Sequence, residues 1–331
     1  MLTLEKLKKT DAKLENEIWN SACKKELVTD KINPIYDGLY SPELYWNSPL
    51  RIMWILKEPY DDFDKKGNPK GGNWSITKDF FHDPEAFSKN KTGQMIIYST
   101  YAILNNLKWE QLYQIKYAPE MAKVLHQIAF INLSKMPAYT TTKDSELWYK
   151  YENWKKITLK QIKQYEPNVL IFGKTLHYFE EDLQEFYSLG KPSKIRGTDL
   201  RAFESEERII IDSCHPGKRF SSEDKSIYVN SLAKRINKWY SEVTEIKQSF
   251  ESKYTIIAKL AVFLVSNRMK MKSNDIIGFL DTNNFITFRG TSYQSTQGVN
   301  NLIRECYRIG DSKTRKLIKK AFVNNQGESI V

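Results

Sequence analysis

Four short, almost wholly apolar runs stand out along the first two thirds of the chain: 51–57 (RIMWILK), 127–133 (QIAFINL), 168–173 (NVLIFG) and 208–213 (RIIIDS). Runs of this length without polar alternation are the pattern of strands buried on both faces of a parallel sheet. Between them the apolar positions shift to helical spacing, over 93–107, 118–125, 152–165 and 175–186. Strands alternating with helices predict an α/β fold, a four-stranded parallel sheet in a three-layer α/β/α arrangement with right-handed crossovers. In such sheets ligands bind beyond the carboxyl ends of the strands. Each predicted strand runs into a polar segment there: Glu58-Pro59-Tyr60-Asp61-Asp62, Asn132-Leu133-Ser134-Lys135, Gly173-Lys174-Thr175 and Cys214-His215-Pro216-Gly217-Lys218-Arg219.

The flanking regions have other patterns. The first 45 or so residues read as a helix and then an irregular stretch rich in aromatics (Tyr36, Tyr40, Tyr45, Trp46). Residues 60–90 form a loop containing KKGNPKGGNW, too long for an idle connection. A long amphipathic helix over 223–250 leads into a tail with helical patterns at 254–267, 273–281, 297–307 and 312–323. A stretch rich in loop formers, 282–291, separates the middle pair. The expected organisation is a catalytic-sized domain over 1–250 and a small helical domain over 251–331.

Charge sharpens that division. The net charge is +11, and residues 245–331 hold 14 Lys and Arg against 7 Asp and Glu, a net +7. Short basic helices suit a helix-turn-helix-like DNA module; the plainer alternative is a packing or dimerisation domain. The longest apolar run, 256–265, is interrupted by Lys259 and is too short to span a bilayer, so no membrane partner is expected. The N-terminus has no apolar secretory core, and three scattered cysteines (Cys23, Cys214, Cys306) suit a reducing cytoplasm rather than a disulfide frame. Three cysteines also exclude a four-cysteine zinc or iron–sulfur site, and the four histidines lack zinc-ligand spacing. With no phosphate-binding glycine loop, no cofactor, metal or nucleotide is expected.

The ordered set of strand-end segments resembles the uracil-DNA glycosylase superfamily. Lys57-Glu58-Pro59-Tyr60 resembles the family's acid-Pro-Tyr turn after the first strand, where the family typically carries Asp. Phe130-Ile131-Asn132 resembles its strand-end Asn segment, Pro167 to Lys174 its third strand, and His215-Pro216-Gly217 its His-Pro loop after the last strand. The resemblance covers about residues 50–240 and implies a monofunctional DNA glycosylase, which flips a base out of DNA and hydrolyses its N-glycosidic bond to leave an abasic site.

That chemistry builds positive charge on the sugar and negative charge on the departing base. A carboxylate serves the first and orients water, the role the resemblance gives Glu58, with Asp61 and Asp62 as further acids. A hydrogen-bond donor at the base carbonyl serves the second, the role of His215. The resemblance further implies that Asn132 holds the base edge, that Trp74 stacks on the base (or Phe80 or Phe81 in its place) and that Tyr60 crowds the 5-position. Arg219 or Phe220 would act as the wedge that replaces the flipped base, and Lys57, Lys174 and Lys218 would grip phosphates. The atypical acid turn, the long loop and the basic tail resemble departures seen in phage-defence glycosylases, whose target is glucosylated hydroxymethylcytosine. Repair of uracil or another damaged base is the alternative substrate class, and a catalytically silent reader of modified DNA the alternative function.

Overall fold

The computed structural model describes residues 3–139, 143–187, 189–195, 198–282, 285 and 292–331, with the backbone alone over 245–252. The chain divides into two compact units, Met1–Tyr240 and Ser241–Val331, ten residues ahead of the boundary predicted from composition.

In the first unit, α1 (Leu4–Lys24) is followed by β1 (Gly38–Leu39), α2 (Pro42–Asn47) and β2 (Ile52–Leu56). Then come α3 (Pro84–Ser88), α4 (Lys91–Asn105), β3 (Ala129–Asn132), α5 (Asp144–Tyr165), β4 (Val169–Gly173) and α6 (Leu176–Tyr187). A hairpin of β5 (Ser193–Lys194) and β6 (Arg201–Glu204) precedes β7 (Ile209–Ser213) and α7 (Ser222–Ser266). The sheet has seven strands in the order β1-β3-β2-β4-β7-β6-β5. Its centre, β3-β2-β4-β7, is parallel, and the edges β1, β6 and β5 are antiparallel. The four predicted strands are these four central ones; the antiparallel edges were not foreseen.

The apolar runs are continuous because both faces are covered. Met53, Ile55, Leu170, Phe172 and Ile210 pack in one buried cluster with Leu147 and Tyr151 of α5 and Phe179 and Leu183 of α6. From the other face, the Trp54 indole donates to Thr100 Oγ1 on α4 at 3.1 Å, and Phe81 and Phe87 meet Phe130 edge-on. The molecule is a mixed α/β protein with a mostly parallel central sheet. The 118–125 pattern forms 3₁₀ turns over Pro119–Gln127, opened by a proline.

The 60–90 loop is held against the N-terminal segment. Gly71 N–H donates to Lys31 O at 2.8 Å and Tyr36 N–H to Trp74 O at 2.9 Å. Gly71 and Gly72 take positive φ (101° and 86°), and a Cβ on Gly72 would stand 1.9 Å from Asn33 O, so the paired glycines are what permits this approach.

The second unit is built on the last part of α7, then β8 (Met271–Lys272), α8 (Ser273–Thr282), α9 (Thr296–Ile309), α10 (Ser312–Ala321) and β9 (Phe322–Val323). Its own core joins Ile257, Leu264, Ile276, Leu280, Ile303 and Ile318. The two helices expected at 223–250 and 254–267 are one, because no Gly or Pro interrupts the chain from 223 to 266. The end of the predicted 312–323 helix is instead β9, paired parallel with β8. The predicted turn at 282–291 lies outside the described residues except for Thr282 and Phe285.

Candidate active site

At the carboxyl edge of the parallel strands, Leu56 of β2 pairs with Asn132 of β3, and Gly173 of β4 with Ser213 of β7. Glu58 and His215 thus each sit two residues past a strand end, on either side of β4. Thr175 Oγ1 donates to Ile55 O at 2.8 Å, Ser213 Oγ to Phe172 O at 3.0 Å and Lys174 N–H to Ser213 O at 2.7 Å, tying the three strand exits together. Gly173 leaves the room between them. A Cβ there would lie 2.5 Å from Leu56 Cδ2 and 3.0 Å from Pro216 Cδ, both on neighbouring strand exits. Gly173→Ala is therefore expected to destabilise the first unit by about 1–3 kcal/mol, the usual range for overpacking. A thermal melt showing no loss of stability would contradict this packing.

His215 is strongly perturbed on this edge. Burial, then the charges of Lys57 and Lys174, push its pKa down to about 4, so the imidazole is neutral at pH 7. Gly217 N–H donates to His215 Nδ1 at 3.0 Å. With Nδ1 accepting, the proton of the neutral ring belongs on Nε2, leaving that nitrogen as a donor. Gly217 has no room for a side chain, since a Cβ would lie 2.4 Å from Thr92 Oγ1.

Glu58 is almost wholly enclosed, its side chain 3% exposed, and Oε2 accepts from Lys150 Nζ of α5 at 2.6 Å. Asp144, in the first turn of α5, takes Lys57 at 2.7 Å and Lys174 at 3.5 Å. The hydrogen bond from Lys57 leads the interactions that hold the Asp144 carboxyl below its ordinary range. Two of the three lysines predicted to grip phosphates, Lys57 and Lys174, therefore share one carboxylate. Lys174 reaches it from left-handed backbone (φ 59°), an uncommon conformation for a side chain of this size.

Asp144 and Lys150 were not anticipated as site residues, because the sequence reading began α5 at 152. Leu147, Tyr151 and Trp154, buried at helical spacing, were the signal for its earlier start. His177 was also passed over. Its ring lies 3.9 Å from that of Tyr178 and meets Trp148 edge-on at 6.2 Å. Burial first, with Lys57 and Lys174 assisting, outweighs Asp212 and Asp144 and lowers its pKa.

Asp61 is bound within its own loop. Its Oδ2 accepts from Gly72 N–H and from Trp74 Nε1, both at 2.7 Å, and its Oδ1 from Asp62 N–H at 2.8 Å. Burial opposes ionisation, but these bonds and Lys70 outweigh it and lower the pKa. The carboxylate pins the loop. Asp62 is 82% exposed at its side chain and 3.9 Å from Lys70. Trp74 is half-buried and tilted against Phe80 at 4.9 Å. Phe81 is fully buried in contact with Phe87 and Phe130, which assigns it to the core.

Tyr60 is exposed and bridges in parallel to Ala138. Asn132 is buried, and its backbone N–H donates to Asp37 Oδ2 at 2.7 Å. Asp37 also pairs with Lys135, whose three ammonium protons find Asp37, Asn132 O and Gln161 Oε1. Beyond His215, Lys218 and Arg219 are exposed, whereas Phe220 packs at 5.1 Å from the Tyr228 ring. Phe220 is thus partly buried against Tyr228, and Arg219 is exposed.

What the fold and this edge define is an α/β protein with a neutral histidine donor and an enclosed carboxylate on strand exits flanking β4. No protein-family model matches the chain, and no curated protein matches it in sequence. Among the described residues, no group of three or more His, Cys, Asp and Glu is placed to hold a metal ion, and no helix is long and apolar enough to cross a membrane.

Proposed function

We propose that the chain is a DNA glycosylase with a uracil-DNA glycosylase-like catalytic unit. The observation that carries the reading is His215, neutral at pH 7 with Nδ1 engaged and Nε2 left to donate. A neutral donor in a partly dry site is suited to stabilise negative charge developing on a leaving base. Glu58 Oε1 makes no hydrogen bond with a described residue, so it is open to a water or to the sugar cation. In the reaction, water adds to the sugar C1′, the C1′–N bond breaks with its electron pair going to the base, and the proton released from water ends on the base. The substrates proposed are glucosylated hydroxymethylcytosine in phage DNA, as antiviral defence, or uracil and damaged bases, as repair. Incubation with DNA of each kind and with plain DNA, followed by alkali, is expected to cut one modified substrate and leave plain DNA intact.

The Glu58–Lys150 ion pair favours one rival, a catalytically silent reader of modified DNA, because Lys150 compensates the carboxylate that would steady the sugar cation. The reader binds modified DNA and leaves no abasic site.

The second unit is proposed to anchor DNA through α10. Lys313, Arg315, Lys316, Lys319 and Lys320 are exposed on this ten-residue helix, which carries no acid. Lys316→Gln with Lys320→Gln is expected to lower DNA affinity and to reduce the slope of log K against log salt by about 1–2, since each phosphate contact contributes about 0.9. An unchanged slope in titrations from low to moderate salt would remove α10 from the interface.

A further inference from the structure

The first unit has a second feature that the candidate site does not use, a cavity of about 610 Å³. It lies between α3, the start of α4, the 3₁₀ turns near residue 115 and the start of α7. None of its lining residues is among the candidate catalytic ones.

Its lining brings together two kinds of chemistry. Three lysines, Lys89, Lys116 and Lys225, face one acid, Glu85. None of the three forms an ion pair with a described residue, in contrast to Lys57, Lys135, Lys150 and Lys174, each of which has a carboxylate. Tyr98 and Trp109 supply aromatic surface in the same cavity, their rings edge-to-face at 5.0 Å. The volume falls in the range of small-ligand sites, about 300–1,000 Å³. Lys116 lies 4.5 Å over the Tyr117 ring, and cations without a carboxylate partner beside aromatic rings match a ligand that is anionic at one end and flat and aromatic at the other.

We propose that this cavity is a nucleotide-binding site, taking a phosphate among the three lysines and an aromatic base against Trp109. The nucleotide belongs either to a DNA strand passing the candidate active site or to a free nucleotide. The position favours the strand. Thr92 of α4 is the residue that a side chain on Gly217 would strike, and Gln94, two residues further along, lines the cavity. Ser222 and Lys225, at the start of α7, line it from the other side, within ten residues of His215. The cavity thus adjoins the His215 loop, where a strand presenting its target base would continue. The strand source rests on the DNA reading of that site; the test reads binding and needs no catalysis.

The test compares the full chain with Lys89→Gln/Lys116→Gln/Lys225→Gln, with Trp109→Leu, and with Lys24→Gln/Lys25→Gln as a control at the end of α1. Oligonucleotide binding is followed by fluorescence anisotropy over a salt series, and binding of thymidine or adenosine monophosphate by calorimetry. Thermal melts establish that each variant is folded. If the strand fills the cavity, the triple variant binds DNA at least tenfold more weakly, with the salt slope reduced by about 2–3. Trp109→Leu then weakens binding about 5- to 100-fold with little change in slope, as loss of a stacking surface does. If a free nucleotide fills it, the triple variant loses monophosphate binding and keeps wild-type DNA affinity. Wild-type affinity of the triple variant for both DNA and monophosphate overturns the proposal. Binding through the cavity without base release would sink the glycosylase reading and leave this one standing.

Discussion

Replacing His215 with alanine is expected to cut base release about 10²–10³-fold while leaving DNA affinity close to wild type, the scale found when one donor to a developing anion is removed. In the proposed reaction the effect belongs in the chemical step, because Nε2 would meet charge that exists only as the C1′–N bond breaks. Single-turnover assays read it directly, and a loss confined to binding would assign His215 to recognition. The same residue sets a pH dependence. Its pKa in the folded protein, about 4, lies below the ordinary 6.5. As pH falls below 6.5 the unfolded chain takes up the proton first, so stability declines between about 6.5 and 4 and levels off below. Protonation also takes the Nδ1 lone pair from Gly217 N–H and sets a third positive charge beside Lys57 and Lys174. Activity is therefore expected to fall as pH drops through about 4. Urea midpoints at pH 7 and 4.5 should differ less in His215→Gln than in wild type, and an identical difference would place the titration elsewhere.

Glu58→Gln is the second large effect, about 10²–10⁴-fold in base release, the usual contribution of a positioned acid or base. The substitution preserves shape and a carbonyl acceptor for Lys150 but removes the negative charge that the proposed reaction sets opposite the sugar cation. Lys150→Met discriminates between the two readings of the ion pair. If Glu58 acts on the sugar and Lys150 orients it, Lys150→Met keeps measurable activity and Glu58→Gln does not. Equal collapse of activity and melting temperature in both would make the pair structural.

The sequence revealed the four central strands to within two residues at each end because each is buried on both faces, so that every position carries the apolar signal. The edge strands did not have that signal. β1 and β5 are two residues long, and β6, with its two ends exposed or half-buried, is too short to display alternation. The positions of His215 and Glu58 just past strand ends were legible, whereas the room that Gly173 leaves between those exits was read only from the structure. The partners were not legible. Lys150 meets Glu58 across 92 residues of sequence, and Asp144 meets Lys57 across 87. A list of lysines at strand ends cannot tell those held by an acid from those free to meet a phosphate, and here Lys57 and Lys174 are held while Lys218 is exposed. The partners of Asp61 were hidden for the same reason: its bonds to Gly72 and Trp74 depend on a loop that folds back 11 and 13 residues later.

The most direct test of the account is a single-turnover measurement of abasic sites on DNA containing glucosylated hydroxymethylcytosine, uracil or only ordinary bases, with wild type, Glu58→Gln and His215→Ala side by side. The account expects alkali-labile sites on a modified substrate with wild type, at least a hundredfold fewer per unit time with either variant, and none on ordinary DNA. Abasic sites formed equally well by all three proteins, or by none on any of these substrates, would contradict it.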